Sequence, residues 1–266
     1  MTKPTMTRLL PLTAALALAV GCAAQPPPAA ATAQAAPGAP AQTATAPGLR
    51  SPDAILADAI AATGGAAAWA AHQTIHAKLT MSFAGMAMSG PADHYQTRAD
   101  KSLTVTNFPG IGIIKEGSNG QQPWSKDPIN GLRLLDGAEA EQARIENAWN
   151  VEIEARSLFT KIETVPDAPA GLECLTLTLR AGAPMRDCYD RQTHLQVSLE
   201  GTRATPQGDV PFKSTISDWR SVGGIKVPFS SETHAGPVTI VNTVDDVRFD
   251  EPVDDKMFDP PAAGGP

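Results

Sequence analysis

Apolar and polar positions along this chain change period several times, and each change marks an element. Ser51-Pro52-Asp53 supplies an N-cap hydroxyl, a first-turn proline and an early acid, so a helix is expected from there. Ala54, Ile55, Ala59 and Ile60 form its apolar face, and Gly64-Gly65 end it. Ala66 to Ala71, around Trp69, reads as a second short helical turn. From Thr74 the period falls to two: Ile75, Ala77, Leu79, Met81 and Phe83 alternate with polar residues, the pattern of a half-buried strand. Gly85 turns the chain, and Met86 to Thr97 returns.

Further strands are expected at Ser102–Phe108, Ile111–Ser118, Lys161–Val165, Leu172–Leu179, His194–Gly201, Val210–Ser217, Ile225–Thr233 and Val238–Phe249. Gly/Pro turns separate them: Asn107-Phe-Pro-Gly110, Thr205-Pro-Gln-Gly208, Val222-Gly-Gly224 and Ala235-Gly-Pro237. One helix, Ala138 to Trp149, interrupts the series, with Ala138, Ile145, Ala148 and Trp149 loosely on one side. A long antiparallel meander of about ten strands with a mid-chain helix is an α+β layout, its helices covering one side of a curled sheet.

Cys174 and Cys188 fall within this pattern. Leu172 to Leu179 alternates, Arg180-Ala-Gly-Ala-Pro184 turns, and Met185-Arg-Asp-Cys-Tyr189 returns. Antiparallel pairing about Ala181 sets residue 174 opposite 188, so a cross-hairpin disulfide is expected in an oxidising compartment, worth on the order of 3 kcal/mol.

The N-terminal segment reads as an address. Lys3 and Arg8 precede an uncharged apolar run from Leu9 to Val20. At about a dozen residues it is too short to span a bilayer, which needs roughly 20. Ala19-Val20-Gly21-Cys22 resembles the lipobox of bacterial lipoproteins, with Ala19 where that family most often has Leu. The resemblance implies a signal peptide over residues 1–21 and a lipidated Cys22; Ala23, which is not the inner-membrane retention Asp, favours the outer membrane. An ordinary signal peptide cut near Ala23 or Ala24 would instead leave a soluble periplasmic or secreted domain. From Ala23 to Gly48 only Ala, Pro, Gln, Thr and Gly occur, so residues 22–48 read as a lipidated cysteine and a disordered tether. Its root-mean-square reach is roughly 30 Å. Residues 49–266 remain for one β-rich domain.

The net charge of −7, with no basic cluster, argues against nucleic acid and anionic lipid surfaces as partners.

The motifs Ala62-Thr-Gly-Gly65, Phe83-Ala-Gly-Met-Ala-Met88, Gly120-Gln-Gln-Pro-Trp124, Thr205-Pro-Gln-Gly208, Ser217-Asp-Trp-Arg-Ser-Val-Gly-Gly-Ile-Lys-Val-Pro-Phe229 and Asp254-Asp-Lys-Met-Phe-Asp-Pro260 follow one another in order. Together they resemble the outer-membrane lipoprotein-sorting-protein-like families, related in fold to the carrier LolA and the acceptor LolB. The resemblance implies an open, incomplete β-barrel, covered by short helices on its concave side, whose apolar hollow takes acyl chains or other greasy ligands. Leu79, Met81, Phe83, Met86, Met88, Leu103, Val105, Ile113 and Trp124 would alternate onto the hollow's face, under a helix carrying Ile145 and Trp149. The docking and hand-over features of LolA and LolB find no residue-by-residue match here, so lipoprotein trafficking is not assigned.

Chemistry-bearing patterns are few. There is no Gly-x-Ser-x-Gly elbow, phosphate-cradling glycine loop or His-Glu-x-x-His zinc motif. His72 and His76 straddle a helix-to-strand change; His76 and His94 could be neighbours on adjacent strands, as could His194 and His234. Asp245-Asp246 and Asp254-Asp255 place consecutive acids on opposite faces, and Asp127-Pro-Ile-Asn-Gly131 lacks the later acids of a calcium loop. Catalytic residues, metal and cofactor are therefore all read as none. The function expected is a non-catalytic envelope lipoprotein that binds an acyl chain, lipid or lipoprotein lipid in a half-barrel. A scaffold module with an envelope protein partner, or a hydrolase of envelope lipids, are the alternatives.

Overall fold

The computed structural model describes residues 48–262. Two helices, α1 (Pro52–Ala62) and α2 (Ala66–Ala71), lead into six antiparallel strands: β1 (Thr74–Phe83), β2 (Met88–Thr97), β3 (Lys101–Phe108), β4 (Gly112–Asn119), β5 (Pro123–Asp127) and β6 (Gly131–Leu134). Helices α3 (Gly137–Glu146) and α4 (Val151–Leu158) follow. Seven strands complete the sheet: β7 (Lys161–Thr164), β8 (Leu172–Thr178), β9 (Met185–Asp190), β10 (Gln196–Arg203), β11 (Val210–Val222), β12 (Ile225–Ala235) and β13 (Val238–Phe249). A short 3₁₀ turn at Asp255–Phe258 is the last element among the described residues.

All thirteen strands form one sheet in the order β6-β5-β4-β3-β2-β1-β13-β12-β11-β10-β9-β8-β7. The chain walks outward from β1 to one edge at β6, crosses through α3 and α4 to the other edge at β7, and walks back until β13 pairs with β1, Ile75 opposite Phe249. Because β6 and β7 do not pair, the sheet is an open α+β half-barrel rather than a closed barrel. This is the architecture expected from the pattern and the resemblance. The Cys174–Cys188 disulfide is present, its Cα atoms 4.1 Å apart on directly opposed positions of β8 and β9.

Three expectations need correction. The helix expected over 138–149 ends at Glu146, and a second helix, unexpected, follows it over Val151–Leu158. Asn147 caps the first, and the Asn150 side chain accepts the Ile153 amide at 2.8 Å to start the second. The pattern does not mark strands β5 and β6; at five and four residues they are too short to show a period. The strand expected from His194 begins at Gln196, because His194 has φ 57° in the turn before it.

The glycine-rich motifs have a shared physical cause. α1 ends at Gly64, whose φ is 115°, and a Cβ there would lie 2.4 Å from the Gly224 carbonyl oxygen in the β11–β12 turn. The Lys226 amide donates to the Thr63 carbonyl at 3.0 Å across the same junction. Gly64 and Gly224 are thus the two sides of one close backbone contact that seats the first helix on the sheet.

Both faces of the sheet are covered. On the inner face, α1, α3 and α4 pack with β8 and β9 through Ile55, Leu56, Ile145, Leu158, Leu175 and Leu177. On the outer face of β3 to β5, the C-terminal segment buries Phe258 completely against Leu103 and Trp124. The Trp124 indole N–H donates to the Phe258 carbonyl at 2.9 Å.

Candidate functional site

The inner face is unevenly filled. Toward the β1–β2 turn, Met81, Phe83, Phe108, Ile114 and Ile240 close on one another. Opposite them, the inward residues of β10 to β12, including Leu199, Phe212, Ser214, Ile216, Ser231 and Thr233, are only half-buried. Between these strands and the covering helices lies a hollow of about 630 Å³. Pockets that take drug-sized ligands hold roughly 300–1,000 Å³.

Helix α3 is tied down across this hollow at both ends. Gln142 bonds the Thr202 carbonyl at 2.6 Å and the Ala204 amide at 2.9 Å, joining the helix to the end of β10. At its other end Gln96 donates to the Asn147 and Ala148 carbonyls, and Ser102 Oγ lies 2.6 Å from Asn147 Oδ1. Trp149 then sits over the interior, edge-on to Trp69 with ring centroids 6.0 Å apart.

The lining is amphipathic. Trp69, Trp149, Trp219, Phe159, Leu199 and Ile216 supply apolar surface. Beside them Asp187, from β9, is 2 % exposed and held by the Tyr189 hydroxyl at 2.7 Å and the Gln196 amide at 2.8 Å. Gln196 in turn accepts the Trp219 indole N–H on its carbonyl at 3.1 Å. Glu152, on the first turn of α4, approaches the same Tyr189 hydroxyl at 3.4 Å. Burial, and then the Glu152 carboxyl, push Asp187 up to about 7. Burial likewise raises Glu152 and lifts the Tyr189 phenol well above its usual range. Toward β2, His94 bonds Thr104 Oγ1 at 2.9 Å; burial first, and His76 second, push it down to about 4, so it is neutral at pH 7. Arg203 is paired with Glu146 on α3, which raises its already high pKa further. The hollow therefore offers apolar walls with a few fixed polar groups, and one carboxyl that changes charge near neutrality.

Of the residues expected to line the hollow, Ile145 and Trp149 border it, whereas the Trp124 side chain turns to the outer face against Leu103 and Phe258. Leu79 is half-buried on β1, whose inward set also includes Met81 and Phe83. Met81, Phe83 and Met88 belong to the cluster that fills the turn end of the inner face. Leu103 and Val105 oppose Tyr95 and Asp93 on the outer face, under Phe258 and Met257. Met86 and Ile113 are exposed at hairpin ends. Cys22 and the leader and tether expected up to residue 47 lie outside the described residues.

Sequence reasoning missed Asp187, Glu152, Trp219 and the inward positions of β10 to β12. Asp187 did leave a signal: once Cys174 and Cys188 are opposed, Met185, Asp187 and Tyr189 must share the other face, an acid between two residues of core type. The other polar groups have structural partners. His72 bonds Asp250, and His76 bridges Glu251 and Asp93 on the opposite face from His94. Asp127 accepts the Ile129 and Asn130 amides, making the tight turn its sequence resembled. No helix among the described residues is long and apolar enough to cross a membrane.

No family model and no curated protein matches the chain. Solved structures do. A DUF1329 family protein from Desulfovibrio piger superposes with a TM-score of 0.52 at 12% identity, covering 77% of this chain and 96% of its own. A putative outer membrane lipoprotein-sorting protein domain from Vibrio parahaemolyticus gives 0.50 at 12%, covering 77% and 95%. A LolA superfamily protein from Nitrosomonas europaea gives 0.52 at 13%, covering 79% and 98%. At these identities the likeness is one of fold, and the fold is LolA-like.

Proposed function

We propose that this chain is an envelope lipoprotein, anchored through Cys22 to the periplasmic face of an outer membrane, whose half-barrel binds an acyl chain or lipid without catalysing a reaction on it. The observation that carries this reading is the unfilled inner face of β10 to β12, which bounds a hollow of about 630 Å³ under α3 and α4. Likeness of fold to a putative lipoprotein-sorting domain and to a LolA superfamily protein supports it. The interior departs from a purely greasy pocket. A hydrocarbon chain would lie along Trp149, Trp219, Leu199 and Ile216, while Asp187 and Gln196 offer hydrogen bonds to a polar end. A few placed polar groups within an apolar cavity fix a ligand's orientation.

The test is native mass spectrometry of protein taken from its own membranes, paired with uptake of fluorescent fatty-acid probes. A bound lipid-sized species, and probe binding weakened at least tenfold by Leu199→Trp or Ile216→Trp, are expected. Those substitutions occupy empty volume, so the thermal midpoint should hold or rise. A domain that carries nothing and takes up no probe would sink the reading.

A further inference from the structure

The polar lining of the hollow is unevenly charged. Four acids border it, Glu116, Glu146, Glu152 and Asp187, against two cations, Arg203 and Lys226. Arg203 is answered from within: Glu146 pairs with it, and Glu116 raises its pKa further. Lys226 is exposed. Asp187 and Glu152 are left, and among the described residues no lysine or arginine acts on Asp187 or Glu152.

Their hydrogen bonds show what is missing. Asp187 accepts from the Gln196 amide and from the Tyr189 hydroxyl. That hydroxyl has a single proton. It lies 2.7 Å from Asp187 and 3.4 Å from Glu152, so the proton goes to Asp187 and Glu152 keeps little beyond its own amide. Two carboxyls thus meet at one phenol with too few donors between them, a costly state for buried acids. A separate position points the same way. On β13 the Asn242 side-chain oxygen is buried and accepts no hydrogen bond among the described residues, while its amide donates to Ser231 at 3.3 Å. Asn242 stands opposite Met81 on β1 and borders the same hollow. The lining is short of hydrogen-bond donors.

We propose that the occupant of the hollow ends in a hydrogen-bond donor, an amine or a hydroxyl, seated between Asp187 and Glu152, and that carboxylate-ended and phosphate-ended lipids are disfavoured there. This rests on the ligand reading above and narrows it. An ammonium brings both the missing donors and the missing positive charge; a hydroxyl brings a donor and can accept in return. A carboxylate brings neither, and beside two buried acids it adds like charge where little water screens it. Leu199 stands opposite Asp187 on the neighbouring strand, so a hydrocarbon chain lying on β10 to β12 delivers its end to the acids.

The test uses the full chain at about pH 8, where Asp187 is mostly ionised, and reads binding from tryptophan fluorescence. The ligands share one chain length: decylamine, decanol, decanoate and decyltrimethylammonium. Decylamine and decanol should each bind at least about tenfold more tightly than decanoate. Decyltrimethylammonium carries the charge without an N–H and should fall about tenfold behind decylamine. Asp187→Asn combined with Glu152→Gln keeps the side-chain shapes, and in that variant decylamine and decanoate should come within about threefold of each other. Equal affinity for all four, or decanoate the tightest, would overturn the inference and still leave the hollow a lipid site. Decyltrimethylammonium matching decylamine would overturn it too, reducing the preference to net charge. Binding of none of the four would remove the ligand reading itself, and this inference with it.

Discussion

At the scale of single residues, two positions make sharp predictions. Gly64→Ala would force a left-handed φ on an L side chain and drive its Cβ into the Gly224 carbonyl. A loss of roughly 3 kcal/mol or more is expected in denaturant melts; a loss below 1 kcal/mol would mean that the helix–turn junction gives way easily. Asp187 has the opposite character, a cost held in the folded state. Its folded pKa, about 7, lies above the ordinary carboxylate value, so from about pH 4 to 7 the unfolded chain gives up a proton that the folded chain keeps. That contribution to stability is fully present below about pH 4 and is lost as the pH rises through 7. Asp187→Asn removes the titration while preserving the shape. The variant should gain on the parent between about pH 4 and 7 and level off above, by roughly 4 kcal/mol at most, in paired guanidinium titrations. A stability gap independent of pH would show that the carboxyl is not desolvated by the walls around it.

The elements show where pattern reading succeeds and where physics hides the answer. β1 was legible because one of its faces is apolar throughout and the other polar, and the β8–β9 hairpin was legible because its two cysteines fixed the register. β3 was legible as a strand but not in its facing, because both of its faces are covered. Leu103 and Val105 have the outward parity but are buried by the C-terminal segment, so hydrophobicity alone could not say which side they served. α4 was missed because Asn150, which opens it, looks like an ordinary polar residue until its side chain is seen capping. Removing that cap with Asn150→Ala should cost about 1 kcal/mol in thermal or denaturant melts. Phe258→Ala, which empties the outer-face cluster, should cost 3–5 kcal/mol at unchanged denaturant slope. A cost under 1 kcal/mol would mean that the terminal segment rests on the sheet without supporting it.

For the molecule as a whole, the fold class could be read from the order of strands and turns, whereas the interior could not. Whether a curled sheet is filled depends on which helix reaches which strand, and the Gln142 and Gln96 tethers that set this join residues 51 to 62 positions apart in sequence. The strand order also bears on how the domain is made. The first strand and the last, β1 and β13, are neighbours in mid-sheet, while the edges come from the middle of the chain. During synthesis the seam between the two half-meanders stays open until the final strand emerges, some 160 residues after its mate. Long-range pairing of that kind is slow to form. Until it closes, β1 and β12 each present a bare edge able to pair with another chain. A polypeptide shortened by its last strand would thus carry two adhesive borders in mid-sheet, and self-association rather than simple unfolding should be its fate.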